Sequence, residues 1–402
     1  MRTHPMNPGV RALVMAGLLA GVTARALGQP QEGKKPFRVE VIQGVEHLIH
    51  PQKCVDTGMT VRLELEAVYT GEDADGQIRT GRIDQFTVDD QGNVYLSEGA
   101  NDVAGGFISQ FDEKGRFIRS IGRKGQGPGE LLQPVAFQKL ADGRLIVLDA
   151  RNFRTTYFDD SGTYLSSHGW RRMRLGPIYA DTSIYLGRER GNGVMFNAFT
   201  HDGHMAKPFF KYRERELQQS NDYYGTIPFS PYSLIAVDPG ASRIYHSSSG
   251  GYQIEVYDLS GQKRRVIERD YRRIPITKAF IQAYCDGLQP TASDPVQRPI
   301  GEILKSKVQW PSHFPAIAGM TVDDQGRLWV ETHEVQKNEG RTLRAFDLYS
   351  REGDFLTRTW LDLSAEKSRM IKKGKLYSLE TDEELGMHVV KRYRIIWENR
   401  KT

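Results

Sequence analysis

The stretch that decides the fold is "IDQFTVDDQGNVYLSE", residues 83–98, because the chain contains a second copy of it. The second copy is "IAGMTVDDQGRLWVET", residues 317–332, and the hexapeptide Thr-Val-Asp-Asp-Gln-Gly is identical in both. Each copy reads as a short strand, a tight turn rich in Asp and Gly, and a second strand. We expect Asp89 and Asp323 to form these turns by accepting hydrogen bonds from backbone N–H groups two residues further on.

Weaker copies of the same pattern lie between these two. They are "FQKLADGRLIVLD" from residue 137, "YADTSIYLG" from residue 179 and "IAVDPGASRIYHS" from residue 235. A half-repeat with an aromatic residue, a short spacer and a glycine trails the copies, as in "FDEKG" from residue 111. Each unit therefore has four strands joined by hairpins, which is typical of the blades of a β-propeller. The units begin at Ile83, Val135, Pro177, Ser233 and Ala318.

A partial sixth unit, "GKLYSLETDEELGMHVVKRYRIIW", occupies residues 374–397 and lacks a fourth strand before the chain ends. An orphan strand with alternating apolar and charged residues, "TVRLELEAVYTGE", occupies residues 60–72 before the first unit. Closing a ring removes free sheet edges. The sequence therefore predicts an all-β fold, a six-bladed β-propeller of four-stranded antiparallel blades in which the N-terminal strand completes the last blade.

Two connections between blades are unusual. The glycine-rich stretch "IGRKGQGPGEL", residues 121–131, has neither the lysine and hydroxyl of a phosphate-binding loop nor the third glycine of a dinucleotide fingerprint. We therefore expect it to carry the chain from the outer strand of one blade to the inner strand of the next. Residues 274–315 form an insertion between blades four and five, and "ITKAFIQAYCDGL" from residue 276 has helical spacing. This partly helical insertion could carry function, or it could be a structural lid that packs Trp310 and Phe314 onto one face of the ring.

Residues 1–28 have the features of a cleaved signal peptide: basic residues, the apolar run "ALVMAGLLAGVTA", and small residues at the cleavage site. We expect residues 29–402 to form a single propeller domain, secreted or periplasmic, with no transmembrane segment after cleavage. The 28 N-terminal residues contain three arginines and no acids, so the remaining chain has 52 basic and 50 acidic side chains. That balance does not predict a nucleic-acid partner. The two cysteines, Cys54 and Cys285, could form a disulfide or remain separate thiols.

The repeat "VDDQGNVYLSE…ISQFDEKGRFIRSIGRKGQGPGEL" resembles the NHL-like repeat, and the whole chain from Val39 to Trp397 resembles bacterial secreted six-bladed β-propeller proteins. This resemblance implies six blades, export and, usually, no assigned biochemical activity. Propellers with NHL-like repeats mostly bind proteins or other macromolecules on one face. A few relatives, such as peptidylglycine lyases and gluconolactonase-like hydrolases, are enzymes that hold a metal in the central channel.

The sequence offers weak support for such a metal site. His168, His246 and His333 lie near strand ends in three different blades and could converge on a zinc ion, but they hold different positions within their repeats. Glu98 and Asp149 occupy equivalent positions in the first two blades, whereas Thr332 and Ser248 stand near that position in later blades, so a ring of acids is not completed. We predict no cofactor, with calcium or zinc as the alternatives to test.

The leading hypothesis is a monomeric binding module that recognises a protein, peptide or glycan on the face that carries the long connectors. The alternatives are a metal-dependent hydrolase or lyase at the central channel, and a structural subunit of an envelope complex. Arginine and aromatic residues in connectors suit recognition. The candidate ligand-binding residues are Glu98, Arg123, Lys124, Asp149, Arg151, Asn152, Trp170, Arg171 and Arg188.

Overall fold

A computed structural model describes residues 36–54, 57–71, 83–98, 106–181, 183–219, 224–238, 240, 243–288, 300–364, 368–382 and 386–399. The signal peptide expected at residues 1–28 lies outside the described residues. The compact unit that contains the strands spans Pro36–Thr402. No helix among the described residues is long and apolar enough to cross a membrane.

The chain forms the six-bladed propeller that the repeats predict. Before the blades come β1 (Arg38–Ile42), β2 (Val45–His50) and β3 (Met59–Tyr69). The first three blades and two short connector ribbons follow: β4 (Ile83–Val88), β5 (Val94–Glu98), β6 (Ile108–Phe111) and β7 (Phe117–Ile121) in blade one; β8 (Arg123–Lys124) and β9 (Glu130–Leu131) in the connector; β10 (Pro134–Lys139), β11 (Leu145–Asp149), β12 (Arg154–Phe158) and β13 (Tyr164–Gly169) in blade two; β14 (Arg174–Ala180), β15 (Ile184–Gly191), β16 (Gly193–Thr200) and β17 (Met205–Tyr212) in blade three; and β18 (Leu217–Gln219) and β19 (Tyr224–Thr226) in the next connector.

The remaining blades enclose the two helices. They are β20 (Leu234–Asp238), β21 (Arg243–Ser247), β22 (Gln253–Asp258) and β23 (Lys263–Arg269) in blade four; α1 (Lys278–Asp286) and α2 (Ile300–Lys307) in the insertion; β24 (Gly319–Val322), β25 (Leu328–Asn338), β26 (Arg341–Tyr349) and β27 (Phe355–Leu361) in blade five; and β28 (Arg369–Lys372), β29 (Lys375–Asp382) and β30 (Met387–Asn399) in blade six.

The ring closes in two places. The inner strands β4, β10, β14, β20, β24 and β28 contact one another in that order, and β28 contacts β4 again. At the rim, β3 pairs antiparallel with β30 and becomes the outer strand of blade six. The N-terminal strand therefore completes the last blade, as the sequence predicts.

The Asp turns of the repeat form as expected. The carboxylate of Asp89 accepts hydrogen bonds from the backbone N–H groups of Gln91 at 2.9 Å and Asn93 at 2.8 Å. The carboxylate of Asp323 repeats this pattern in blade five. Its other oxygen accepts a hydrogen bond from the indole of Trp329 at 3.0 Å, so one acid fixes both the turn and a buried aromatic side chain.

One feature of the rim differs from a simple four-stranded blade. The hairpin of β1 and β2 extends blade four to six strands, because β2 pairs in parallel with β23. Leu48 of β2 is buried among Tyr252, Ile254 and Ile267, and the side chain of His50 lies 2.9 Å from the carbonyl oxygen of Gly353 in blade five. The hairpin thus covers the junction of blades four and five.

Candidate functional site

The long connectors share one face of the ring with the turns between second and third strands. Consecutive strands of each blade are antiparallel, so each connector and each of these turns lie at the same end of the blade. We call this end the connector face. Most of the candidate residues lie in connectors or second-to-third-strand turns, and the backbones of Glu98, Asp149 and Arg188 lie at or near the ends of second strands.

Around blade two, three segments of the connector face are joined by hydrogen bonds. The side-chain amide of Asn152 donates to the carbonyl oxygen of Gly125 at 2.9 Å. The guanidinium of Arg154 donates to the carbonyl oxygens of Gln126 at 2.9 Å and Gly127 at 2.8 Å. The backbone N–H of Trp170 donates to the carbonyl oxygen of Phe153 at 2.7 Å. The three segments therefore form one continuous surface, the blade-two surface, which we define as Arg123, Lys124, Arg151, Phe153, Arg171, Arg172 and Met173.

The glycine-rich connector, residues 121–131, is held by close contacts within itself. A Cβ atom at Gly125, whose φ is 153°, would lie 2.0 Å from the carboxylate of Glu130. That carboxylate accepts a hydrogen bond from the backbone N–H of Gly127 at 2.8 Å and pairs with Arg123 at 3.0 Å. These contacts hold the pKa of Glu130 below its ordinary value, with the hydrogen bond from Gly127 as the main cause. The connector is thus an ordered loop that presents Arg123 and Lys124.

The charge of the blade-two surface is strongly positive. Arg123, Lys124, Arg151, Arg171 and Arg172 are all exposed. Of the described carboxylates beside them, Glu130 pairs with Arg123. Glu189 lies 3.2 Å from the buried Arg174 but 3.9 Å from Arg172. Five exposed cations therefore lie on one surface, which favours a ligand of negative charge.

Phe153 lies in the middle of this surface in a conformation that phenylalanine rarely adopts. Its φ is 48°, in the left-handed region, and its side chain is 45% exposed. Left-handed backbone at a bulky residue costs on the order of 1–3 kcal/mol. In the corresponding hairpin of blade three the chain places Gly193, with a φ of 96°, which has no such cost.

Three of the candidates support the surface from beneath. Asp149 is fully buried and accepts hydrogen bonds from the backbone N–H of Gln133 at 2.8 Å and from the amide of Asn152 at 2.6 Å. Trp170 is buried and its indole donates to the hydroxyl of Thr155 at 2.8 Å. These three side chains thus fix the positions of the turn and of the next connector. The side chains exposed to a ligand are those of their neighbours Arg151, Phe153 and Arg171.

Two other candidates are not among the residues that define this surface. Arg188 is half-buried, and its guanidinium lies over the ring of Tyr212 at 4.9 Å from the ring centre. The backbone of Glu98 ends β5 in blade one, and its side chain lies outside the described part of the structure. The equivalent of Glu98 and Asp149 in blade six is Glu380, which the sequence reading missed. Glu380 is buried and accepts a hydrogen bond from the hydroxyl of Tyr393 at 3.0 Å.

The three candidate histidines have separate environments. His168 packs edge-on against Tyr157 at 6.0 Å between ring centres. His246 is buried, with its ring nitrogens 2.9 Å from the Ser233 hydroxyl and 2.9 Å from the Glu255 carboxylate. Across the described ranges of the chain, no group of three or more His, Cys, Asp or Glu side chains is arranged to hold a metal ion.

His333 belongs to an aromatic cluster beneath the helical insertion. We call this cluster the cap. The ring of Phe229, from the connector before blade four, contacts the rings of five residues at 5.0–6.3 Å between centres: Phe280, Tyr284, Trp310, Phe314 and His333. Burial, with smaller contributions from the charges of Arg344 and Arg215, lowers the pKa of His333 to about 4. The insertion therefore packs Trp310 and Phe314 onto the connector face, as the lid alternative predicts.

The two helices of the insertion pack closely against each other. A Cβ atom at Gly301 of α2 would lie 2.3 Å from the carbonyl oxygen of Cys285 in α1, so only glycine permits this approach. Cys285 is buried at that contact and Cys54 is half-buried in the N-terminal segment. Both are free thiols, so the disulfide that the sequence left open is absent between them.

Comparisons with known proteins agree with the fold. Residues 81–169, which contain the first two blades, match the DUF5128 family, described as a 6-bladed β-propeller. A member of the DUF4221 family from Bacteroides vulgatus is similar in structure, with a TM-score of 0.53, 12% sequence identity, and coverage of 85% of this chain and 99% of that one.

Two further solved structures show weaker likeness. A Bacteroides fragilis protein thought to be exported has a TM-score of 0.46 at 11% identity, with coverage of 87% of this chain and 99% of that one. An inactive variant of virginiamycin B lyase from Staphylococcus aureus, solved with quinupristin, has a TM-score of 0.38 at 12% identity, with coverage of 84% and 88%. No curated protein matches this chain.

Proposed function

We propose that this protein is an exported propeller that binds an acidic segment of a protein or peptide on the blade-two surface. The observation that carries the proposal is Phe153, an exposed aromatic side chain in left-handed backbone, in a turn hydrogen-bonded to both connectors that carry exposed cations. Strained residues persist where a function needs them. Arginine, methionine and aromatic residues are also the types enriched at protein interfaces.

The three segments are pre-organised for binding. The connector of residues 121–131 is held by Glu130 and Arg154, and the turn of blade two is held by Asp149. A surface whose backbone is fixed before binding loses little entropy when the ligand arrives. Carboxylates of the ligand would pair with Arg151, Arg171 and Arg172, and an apolar side chain would pack against Phe153 and Met173.

The proposal can be tested with arrays of acidic peptides and of glycans, probed with the purified chain. We expect acidic peptides to bind. The triple variant Arg151→Glu, Arg171→Glu, Arg172→Glu should bind the best of them at least 100-fold more weakly, about 2.7 kcal/mol. The matched control reverses three other exposed arginines, Arg38→Glu, Arg62→Glu and Arg341→Glu, whose side chains are 56–72% exposed.

The control variant should bind like the natural chain, and rising salt should weaken binding because the contacts are exposed charges. Binding to glycans alone would show that the ligand is a carbohydrate and not an acidic peptide. Equal loss in both triple variants, or no acidic peptide bound by the natural chain, would overturn the proposal.

Export is the second part of the proposal and rests on residues 1–28. Expression of the full chain in a Gram-negative host, followed by cell fractionation and N-terminal sequencing, tests it directly. We expect a periplasmic or extracellular protein that begins at Gln29. A chain recovered from the cytosol with Met1 or Arg2 at its N-terminus would contradict export.

A further inference from the structure

A cavity lies at the end of the blades opposite the connector face, where blades four and five meet. Its volume is about 200 Å³. The turn of blade five that contains Arg351 packs there against the outer strand of blade four. Four arginines, one acid and one tyrosine line most of it: Arg243, Arg264, Arg265, Arg351, Asp258 and Tyr257.

Each arginine is held by at least one contact to its guanidinium. Arg264 Nε donates to the carboxylate of Asp258 at 2.7 Å. Arg265 Nε donates to the carboxylate of Glu46, in β2, at 2.6 Å, and its Nη1 donates to the backbone carbonyl of Glu352. Arg351 Nε lies 3.2 Å from the carboxylate of Asp238. Arg243 donates to the backbone carbonyl of Arg351.

These contacts leave the cavity with an excess of positive charge. Three carboxylates, Asp258, Glu46 and Asp238, accompany four guanidinium groups, and among the described residues only Asp258 is a carboxylate that lines the cavity. A guanidinium has five N–H donors, so these contacts leave further donors on Arg243, Arg264 and Arg351 for a ligand. Because the side chains are already held, a ligand would not have to order them.

The size and chemistry of the cavity indicate one class of ligand. Pockets for drug-sized ligands occupy about 300–1,000 Å³, so this cavity suits a smaller group. The planar fork of arginine matches the oxygens of phosphate and carboxylate in a two-pronged contact. Several such forks around one space fit a tetrahedral group whose oxygens point in several directions.

We propose that this cavity, the blade-four pocket, binds a tetrahedral oxoanion, a phosphate or sulfate group. Arg264 provides the contact nearest solvent. Arg243 provides a contact from the second strand of blade four, and Arg351 provides one from blade five. The ligand therefore bridges two blades at the rim, beside the N-terminal hairpin that supplies Glu46. This site is separate from the blade-two surface.

Isothermal titration calorimetry of the full chain tests the proposal with inorganic phosphate, inorganic sulfate, and chloride at matched ionic strength. A sugar phosphate monoester forms a further arm. We expect saturable binding of phosphate or sulfate at one site and no saturable binding of chloride. Tighter binding of the monoester than of inorganic phosphate would show that the ligand carries the phosphate as part of a larger molecule. Weaker binding of the monoester would show that the ligand is the free ion.

The decisive variant is Arg264→Gln, because this side chain is 57% exposed and its loss leaves the core intact. We expect its phosphate affinity to fall at least tenfold, and that of Arg243→Gln to fall similarly. The matched control Arg341→Gln, at an exposed arginine of blade five, should bind like the natural chain. Unchanged affinity in Arg264→Gln, or chloride binding equal to phosphate, would overturn the proposal.

The blade-two triple variant should bind phosphate normally, which separates this inference from the proposed function. If that variant lost phosphate binding while Arg264→Gln kept it, the oxoanion site would have to be reassigned to the blade-two surface.

Discussion

Two phenylalanines on the connector face share the same rare backbone conformation. Phe153 has a φ of 48° and Phe229 has a φ of 57°. The ring of Phe229 contacts five rings of the cap, whereas Phe153 makes no ring contact to a described residue and is 45% exposed. Ring packing offsets the backbone cost at Phe229. At Phe153 the described contacts are backbone hydrogen bonds to Ala150 and Trp170, and no ring packs against the side chain.

The same contrast applies to the regions around them. Over blades four and five the face is covered by the chain's own insertion, whose aromatic residues are partly buried there. Over blade two the repeat is regular, yet its loops carry exposed cations. The insertion, which departs from the repeat, therefore packs against the ring. The candidate binding site lies in the regular blade two, where Phe153 adopts a backbone conformation that is rare for its residue type.

The largest expected effect on stability comes from Phe229, which packs against the cap. Phe229→Gly should lower the free energy of unfolding by about 3 kcal/mol, because truncation of a packed phenylalanine costs about 3–5 kcal/mol and relief of the left-handed backbone returns about 1 kcal/mol. Urea unfolding measures the change. Stability equal to that of the natural chain would show that the cap does not depend on this ring.

The pH dependence of the cap is the next largest effect. The pKa of His333 is about 4 in the folded chain, because burial disfavours its charged form. It is about 6.5 when unfolded. As pH falls below 6.5 the unfolded state takes up the proton first, so stability falls between pH 6.5 and 4, by about 2–3 kcal/mol from this group.

His333→Phe keeps a ring against Phe314 and cannot titrate. Urea unfolding at pH 7 and pH 4.5 should therefore show a smaller loss in this variant than in the natural chain. Identical losses would mean that other groups account for the acid sensitivity.

A smaller effect is expected at the start of α1. The hydroxyl of Thr277 accepts a hydrogen bond from the backbone N–H of Phe280 at 3.1 Å. Loss of such a cap costs about 1 kcal/mol, so Thr277→Ala should lower stability and speed hydrogen exchange in α1. Thr277→Ser is the control, since it keeps the acceptor. Peptide binding at the blade-two surface should be the same in both variants. A change in affinity would show that the insertion and the blade-two surface are coupled.

The smallest effect has the opposite sign. Phe153→Gly should raise the free energy of unfolding by about 0.5–1 kcal/mol, because glycine adopts the left-handed conformation freely and little packing is lost. Phe153→Ala is the control, since it removes the ring but keeps the strain, and it should give no gain. A loss of stability in Phe153→Gly would show that the ring is held by packing after all.

The repeat predicted most of the fold, because hairpin turns and period-two strands are local signals. It located the first strands of five blades and the closing role of β3. It did not predict that β2 would pair in parallel with β23, since parallel pairing across more than 200 residues has no local signature. The first helix of the insertion was visible from its apolar spacing, whereas α2, at Ile300–Lys307, was missed.

The candidate site was predicted less completely. The sequence indicated Arg123, Lys124, Arg151 and Arg171 on one face, and the antiparallel order of the strands places their backbones there. It missed Phe153, although the signal was present: the stretch "RNFR" puts an aromatic residue where blade three places glycine. Asp149 and Trp170 attracted attention by their type, but burial decides their role, and burial depends on packing that no single segment reveals.

The measurement that tests the central claim most directly compares the natural chain with Phe153→Gly by titration of the strongest acidic peptide from the array, alongside urea unfolding of both. The account predicts that the variant is at least as stable as the natural chain and binds the peptide at least tenfold more weakly. Equal affinity in a stable variant would contradict the claim that the strained phenylalanine is held in place for a ligand.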